Sequence, residues 1–339
     1  MSIVVTPFDV SDPAAIDEAH RIATAATAAD VPDFPLEDRA EFGATLAHPT
    51  PGNGWWHALA RVDGIAVGRV QVRLPQLDNT DLASVTIEVH PEHRRRGAGR
   101  ALFASAREVA GEHGRKRLFW NAVAALPGGP PRPEAGAAFS AATGAKPALA
   151  EVRRRLDTTG VDQAALDALL AEARSRADGY RVVGWHGRVP DEYVADVARL
   201  EGRILTDAPM GDLDMEPEKV DDERIRGIEA ALTARGRRVY HHGAVDPATG
   251  ALVAWTMLDV GGSAPWHAWQ ATTIVDPDHR GHRLGLIVKI ENLRYALARE
   301  PRLTAIDTWN AAVNDYMINI NERMGFRAVD AWTDWQLDL

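Results

Sequence analysis

The sequence predicts two related α/β domains in tandem, and three observations predict this. The chain has 339 residues, and at about 150 residues per domain this length favours two domains. The segment Val89-His90-Pro91-Glu92-His93-Arg94 returns 186 positions later as Val275-Asp276-Pro277-Asp278-His279-Arg280. Each copy follows an extended apolar run and precedes a helix-like run, which is the order strand, turn, helix.

The elements of the two copies match in order. In the first copy a strand is predicted at 84–89, a helix from 100 to about 113, a strand at 118–121 and an alternating, closing strand at 151–157. In the second copy the corresponding elements are predicted at 272–275, 286–299, 306–310 and 331–339. Thr143-Gly144-Ala145 and Met324-Gly325-Phe326 precede the closing strands. Four landmarks in one order indicate a tandem repeat.

The domain boundaries follow from the segment between the copies. Apolar residues at 165, 166, 169, 170 and 173 have the spacing of one helix face, and Asp162 is a plausible N-cap. We therefore predict an N-terminal domain at 1–158, a linker helix within 159–179 and a C-terminal domain at 180–339.

Composition excludes several classes of protein. There is no cysteine, which excludes disulfides, thiolate metal sites and a Cys nucleophile. The formal net charge of −10 argues against a nucleic-acid partner. No apolar run reaches the ~18 residues of a membrane span, and the amino terminus lacks the pattern of a signal peptide. A cytoplasmic protein with no membrane partner is expected.

The turn of the first copy has the character of a phosphate site. It reads Arg94-Arg95-Arg96-Gly97-Ala98-Gly99-Arg100. Free backbone N–H groups at a helix N-terminus and the helix dipole both favour an anion there, glycines allow close approach, and arginines add charged donors. The spacing is neither the dinucleotide fingerprint nor a P-loop.

These residues resemble the GNAT superfamily of acyl-CoA-dependent N-acyltransferases. The resemblance rests on V-x-P-x-x-R-x-x-G-x-G between a strand and a helix, and on the later segment that ends in Gly-Phe. It implies a mixed, largely antiparallel sheet flanked by helices in each domain, with acetyl-CoA or another acyl-CoA as co-substrate. It also implies that the turn's amides hold the cofactor pyrophosphate and that the preceding strand pairs with the pantetheine arm. The implied cofactor residues are Val89, Arg94, Arg95, Arg96, Gly97, Ala98, Gly99, Arg100, Ile274, Val275, Arg280, Gly281, His282, Arg283, Leu284, Gly285, Asn310 and Asn314.

Each copy departs from the family pattern in a different place. The first copy has Pro133 where the family has an Asn and Ser140 where it has an acidic Tyr. The second copy keeps Asn314, but its first turn glycine is displaced and Asn321 stands at the Tyr position. An amide is no acid near neutral pH. Unequal tandem halves resemble acetyltransferases of the mycothiol synthase type, which implies that the C-terminal domain is catalytic.

Direct transfer to an amine needs a base, a carbonyl donor and an acid. The catalytic candidates are Tyr316, Asn321, His267 and Glu88; packing roles for Tyr316 and His267 and a solvated position for Glu88 stay open alternatives. The acidic stretch 206–223 is either a solvated loop or a lip that attracts a cationic amine. The substrate candidates are Asp212, Asp214, Trp269 and Gln270.

The sequence thus predicts an N-acetyltransferase that acts on a small-molecule amine in its C-terminal domain. Two rivals stay open: catalysis in the N-terminal domain, and a protein that binds or senses acyl-CoA without turnover. The His pairs at 90/93 and 279/282 have no acidic third ligand in register, so no metal is expected. A monomer or a homodimer is expected.

Overall fold

A computed structural model of the protein describes residues 2–339. Within them the strands are β1 (Ile3–Pro7), β2 (Asn53–Val62), β3 (Ile65–Pro75), β4 (Leu82–Val89), β5 (Arg117–Ala125), β6 (Lys146–Asp157), β7 (Arg181–His186), β8 (Arg238–Val245), β9 (Leu252–Val260), β10 (His267–Val275), β11 (Ala305–Ala311) and β12 (Arg327–Asp338). The helices are α1 (Pro13–Asp30), α2 (Arg39–Ala47), α3 (Ala98–Glu112), α4 (Ala135–Ala142), α5 (Gln163–Arg174), α6 (Val194–Glu201), α7 (Ile204–Asp207), α8 (Asp222–Ala234), α9 (Leu284–Leu297) and α10 (Asp315–Arg323).

The chain divides into two compact units. Unit 1 contains the chain up to Glu151, then Gly211–Met215 and Asp330–Leu339. Unit 2 contains Val152–Met210 and Glu216–Val329. The sequence predicts two contiguous domains, and the two units differ from them in three segments. Residues 152–158 belong to unit 2, and residues 211–215 and 330–339 belong to unit 1.

The sheet of unit 1 has the strand order β1-β2-β3-β4-β5-β12. Neighbours are antiparallel except for β4 and β5, which are parallel. Successive side chains of a strand point to opposite faces of the sheet. Both faces therefore carry apolar side chains, and helices cover both. On one face α3 buries Leu102 and Phe103 against β3, β4 and β5, and on the other α1 and α2 bury Ile16 and Phe42 against Leu59.

Unit 2 repeats this arrangement with the order β6-β11-β10-β9-β8-β7, in which β10 and β11 form the parallel pair. α5 and α9 pack on one face, where Leu169 and Leu286 are buried together, and α6 packs on the other through Val197. The predicted linker helix is therefore part of the core of unit 2. It packs there because its apolar face is buried in that core. Asp162 caps the helix, since its side chain accepts from the Ala165 N–H at 3.0 Å.

The closing strands are exchanged between the copies. The strand beside β5 in unit 1 is the carboxyl-terminal β12, paired from Asp330↔Ala125 to Asp338↔Arg117. The strand beside β11 in unit 2 is the end of β6, which follows the first copy in sequence. The predicted fold class, a mixed sheet flanked by helices in each of two related halves, is confirmed.

Candidate active site

The turns that precede α3 and α9 share one backbone conformation. In unit 1, Arg95 and Gly97 are left-handed, with φ of 62° and 96°. In unit 2 the left-handed residues are Gly281 and Arg283, with φ of 89° and 58°. These positions correspond at the 186-residue spacing of the repeat. The glycine that appears displaced in the sequence therefore occupies the other left-handed position, and the turn keeps its shape.

Both turns expose helix N-termini without a side-chain cap. α3 begins after Gly97 and α9 after Arg283, and neither residue makes a capping hydrogen bond among the described residues. The first amides of a helix have no intrahelical acceptor. Around them Arg95, Arg96 and Arg100 are exposed in unit 1, as are residues 280–283 in unit 2, whereas Ala98 and Leu284 are buried. Both turns therefore offer amide donors to an anion.

The first arginine of each turn makes a hydrogen bond and an ion pair within its own unit. Arg94 Nε donates to the Val89 carbonyl at 3.0 Å, and its guanidinium pairs with both carboxylate oxygens of Asp30 at 2.6 and 2.9 Å. Arg280 makes the same bond to the Val275 carbonyl at 3.4 Å and pairs with Asp207 at 2.9 Å. These two predicted cofactor residues hold their turns against the preceding strand. His282 Nδ1 likewise lies 3.1 Å from the Arg176 carbonyl oxygen.

A glycine lets each helix approach its sheet closely. A Cβ on Gly285 would lie 3.4 Å from Val275 Cγ2 and 3.8 Å from Ile320 Cδ1. A Cβ on Gly99 would lie 3.5 Å from Phe139 Cε2. A large side chain at either position would push the helix N-terminus away from the strand.

The parallel strands part beside each turn. Among the described residues, β10 and β11 pair only from His267–Trp269 to Ala305–Asp307, and β4 and β5 only from Leu82–Ser84 to Arg117–Phe119. Beyond these pairs the ladder does not continue, and we call the region between the separated strand ends the gap. In unit 2 Thr308 Oγ1 still crosses its start, because it donates to the Gln270 carbonyl at 3.3 Å. Because strand edges carry free N–H and C=O groups, the gap offers hydrogen bonds to an extended ligand.

A bulge shapes the β10 side of the gap in unit 2. The register with β9 shifts between Gln270 and Thr272. Gln270 Nε2 donates to Thr256 Oγ1 at 3.0 Å and to the carbonyls of Met257 and Thr272 at 2.9 Å each. Gln270, a predicted substrate residue, is therefore buried and stabilises the bulge, while Ile274 and Val275 are buried in the strand beyond it.

A line of three polar side chains reaches the β11 side of the gap. Lys289 Nζ donates to Asn321 Oδ1 at 2.7 Å, and Asn321 Nδ2 donates to Asn310 Oδ1 at 2.6 Å. Lys289 and Asn321 are fully buried and Asn310 is half-buried. Burial lowers the pKa of Lys289 to about 7. Sequence reasoning missed Lys289, whose one signal is a charged residue inside an otherwise apolar helical run.

The opposite face of unit 2 carries an aromatic surface over a buried ion cluster. The Trp269 and Trp309 rings lie 5.2 Å apart, and the His267 ring lies 4.2 Å from that of Trp269. His267 Nε2 is 3.0 Å from Asp307 Oδ2, and Asp307 also accepts from Arg153 at 2.9 Å and Arg155 at 2.6 Å. Burial raises the pKa of Asp307, but the hydrogen bonds and charges of these partners outweigh it and hold that pKa well below its usual range.

His267 is buried rather than presented to the gap. Burial lowers its pKa, against the opposing hydrogen bond and charge of Asp307. It lies between the Trp266 and Trp269 rings. This position fits the packing role that the sequence analysis left open for His267. It does not fit the role of a general base, which needs contact with the substrate.

In unit 1 aromatic rings pack beside the corresponding part of β5. Strand pairing places Leu118 of β5 at the same register position as Ile306 of β11. Trp120 therefore lies on the face covered by α3, whereas Trp309, one register position further along, lies on the face opposite α9. Trp120 Nε1 donates to Ser140 Oγ at 2.7 Å, and the Phe103 ring lies 5.3 Å from Trp120.

The remaining candidate residues are placed away from the gap or paired. Glu88 is in an ion pair with Arg69, so it is not a free base. Tyr316 is 53% exposed on α10, and the Asn314 side chain caps that helix by accepting from the Met317 N–H at 3.2 Å. The structure therefore does not bring Tyr316 together with Asn321.

The acidic stretch is divided between the units. Asp212 and Asp214 are counted in unit 1, where the Asp212 N–H donates to the Ala148 carbonyl at 2.8 Å and Asp214 pairs with Arg117 at 2.6 Å. The sequence predicts that both carboxylates line the cleft of the second copy. The structure instead groups Asp212 and Asp214 with unit 1, where the backbone of Asp212 and the carboxylate of Asp214 make their bonds.

One expectation about metal ligands needs correction. His90, Glu92 and His93 each offer a ligand atom, and the three atoms lie within 4.8 Å of one another. A carboxylate therefore does accompany the first His pair, contrary to the sequence analysis, because the short 3₁₀ turn at Pro91–His93 brings the three side chains together. That the protein needs no metal stays a prediction.

Comparison with known proteins agrees with this geometry. The model of the acetyltransferase (GNAT) family matches residues 17–126. The chain is 32% identical to a tandem GNAT protein from the clavulanic acid biosynthesis pathway, covering 99% of this chain and 98% of that one, with a TM-score of 0.82. The chain belongs to the GNAT family of N-acetyltransferases, and it has the tandem architecture of that neighbour.

More distant structures share the fold alone. A GCN5-related N-acetyltransferase from Sphaerobacter thermophilus is 16% identical, covers 99% of this chain and 95% of its own, and has a TM-score of 0.66. The N-myristoyltransferase of Saccharomyces cerevisiae is 12% identical, with coverages of 99% and 78% and a TM-score of 0.60. No match was found among curated protein sequences. Among residues 2–339, no helix combines the length and apolar character needed to cross a bilayer.

Proposed function

We propose that the protein transfers the acetyl group of acetyl-CoA to a small primary amine, and that unit 2 carries the reaction. The observation that carries this proposal is the gap between β10 and β11. It lies beside a helix N-terminus with exposed amides, and polar Asn310 borders it on the α9 face. In unit 1 the Trp120 ring, at the register position of Thr308, instead packs against Phe103.

The reaction balances without a covalent enzyme intermediate. The amine nitrogen bonds to the thioester carbonyl carbon, the carbon–sulfur bond breaks, the nitrogen loses a proton to water, and the CoA thiolate takes up a proton. None of the predicted bases is free at the gap, so the amine attacks in its neutral form. Holding the two reactants together supplies about 7 to 11 kcal/mol in favourable cases.

The aromatic pair Trp269 and Trp309 is the proposed acceptor surface. Both are half-buried and lie on the face of the sheet opposite α9. If the acceptor carries a second amine that stays charged, that ammonium group would be attracted to the faces of these rings. The cofactor would occupy the α9 face, where the turn at 280–283 holds its pyrophosphate.

A specific observation favours a second candidate, catalysis in unit 1. Its turn keeps both glycines and three exposed arginines, and the family model matches within residues 17–126. We infer that this turn binds CoA as well, whichever unit reacts.

Release of CoA thiol in the presence of a panel of primary amines tests the proposal. The chain has no cysteine, so a thiol reagent reports product alone. Gly285→Trp is expected to reduce turnover at least about 100-fold, because the side chain displaces the α9 N-terminus and misplaces the acyl group. The matched variant Gly99→Trp, at the position of the repeat that corresponds to Gly285, is expected to leave turnover within about twofold, because unit 1 does not react in this scheme.

Two results would contradict this assignment. Loss of turnover from Gly99→Trp alone would place the reaction in unit 1. Binding of acetyl-CoA without turnover of any amine would instead support a sensing protein.

A further inference from the structure

The buried lysine of α9 has a single hydrogen-bonding partner among the described residues. Lys289 is 1% exposed, and every residue from Leu284 to Ile290 is buried. Its ammonium donates to Asn321 Oδ1 and lies 5.3 Å from the Phe326 ring centroid. A charged group in such a place is costly, so an apolar side chain would be the more stable choice for this helix.

Lysine fixes the direction of the hydrogen bonds that follow it. In its charged form, below pH of about 7, Lys289 has three donors and no acceptor, so Asn321 must turn its oxygen toward it. The Asn321 NH₂ group then faces Asn310, which must in turn present its own oxygen. The NH₂ group of Asn310 is what remains at the end of the line.

The end of this line is at the gap. Asn310 lies three residues beyond Asp307, the last residue of β11 that pairs with β10. It is half-buried, whereas Lys289 and Asn321 are closed off from solvent. It shares a sheet face with Ile306, which packs against the α9 core, and so borders the gap on the side where the cofactor is proposed to enter.

We propose that Lys289 is a positioning residue that holds the Asn310 NH₂ group as a hydrogen-bond donor to the thioester carbonyl oxygen of acyl-CoA. This proposal rests on the proposed function, because it requires acyl-CoA in the gap of unit 2. Asn321 passes the orientation from one residue to the other. Without a donor-only group behind it, the Asn321 amide can turn over, and the Asn310 amide with it.

Calorimetric titration with acetyl-CoA and with CoA at pH of about 6, where Lys289 is charged, tests the proposal, because only acetyl-CoA has the thioester carbonyl. Asn310→Ala and Lys289→Met are expected to weaken acetyl-CoA binding about 5- to 10-fold, the worth of one hydrogen bond, and CoA binding by less than about twofold. Lys289→Gln, which keeps a donor but also has an acceptor, is expected to lose less acetyl-CoA affinity than Lys289→Met, about 2- to 4-fold. If two sites are seen, the series is repeated in the Gly99→Trp background.

The outcomes separate this inference from the proposed function. A wild-type protein that binds neither ligand overturns both. Binding of both ligands with an unchanged acetyl-CoA to CoA affinity ratio in Asn310→Ala overturns the inference and leaves the proposed function standing. Equal loss for both ligands means general damage and also overturns it. If Lys289→Met does not fold, Asn310→Ala and Lys289→Gln decide.

Discussion

Replacing Lys289 by methionine is expected to stabilise the protein at neutral pH. Burial lowers the pKa of Lys289 from 10.5 to about 7. At about 1.4 kcal/mol per pKa unit, keeping the ammonium charged in the core costs on the order of 5 kcal/mol. Methionine removes this cost, but it leaves Asn321 Oδ1 without its donor, which costs about 1 to 3 kcal/mol. The expected net gain is about 2 to 4 kcal/mol.

The sign of the pH dependence follows from the lowered pKa. Between pH of about 7 and 10.5 the unfolded chain keeps the proton on Lys289 while the folded chain loses it. Wild-type stability therefore rises with pH through this window, by at most about 1.4 kcal/mol per unit. Below pH of about 7 the full cost is present. The advantage of Lys289→Met is thus largest at or below neutral pH and fades toward pH of about 10.5.

Urea unfolding followed by tryptophan fluorescence at pH of about 6.5, 8 and 9.5 measures this difference. Lys219→Met is the matched control, because Lys219 is an exposed lysine of the same unit. It is expected to change the unfolding free energy by less than about 0.5 kcal/mol at every pH. A Lys289→Met variant that is less stable than the wild type at pH of about 6.5, or a gain that does not vary with pH, would refute the reasoning.

Three further predictions concern stability. Arg283→Gly is expected to add about 0.5 to 1 kcal/mol and raise the melting temperature, because Arg283 has a φ of 58°; a lower melting temperature would contradict this. Asp307→Asn is expected to cost about 3 to 5 kcal/mol in chemical denaturation, because two arginines lose their buried counterion; an unchanged midpoint would show that they are solvated. Burial lowers the pKa of His241, stacked between two tryptophans, to about 3, so wild-type stability falls as pH drops from about 6.5 to 3. His241→Phe lacks this loss, and its acid midpoint by circular dichroism is expected at lower pH than that of the wild type.

Sequence reasoning reached the repeat, the fold class and the two turns, because these leave local signals. A strand, a turn and a helix in fixed order are readable from spacing, and the family resemblance is confirmed by the comparisons. The equivalence of the turns was hidden because glycine stands at different left-handed positions, Gly97 and Gly281, and spacing gives no backbone angle.

The site itself depends on contacts that spacing does not contain. Alternation predicts that 151–157 and 331–339 are strands, but it does not say which sheet each joins. The partners of His267 and Glu88 come from other strands, Asp307 and Arg69, and these bonds remove both side chains from the set of free bases. Lys289 acquires its meaning only when α10 brings Asn321 against it.

The exchange of closing strands has a consequence for how the protein is made. Unit 1 includes Asp330–Leu339, so the half of the molecule that is synthesised first lacks the partner of β5 until residues 330–339 leave the ribosome. During synthesis the edge of β5 is an unpaired strand, which is an aggregation hazard. Joining it requires closure of a loop of some two hundred residues, a slow step set by topology. Neither half of the chain alone therefore contains every strand of its unit, and the sheet of unit 1 is completed only after most of unit 2 has been synthesised.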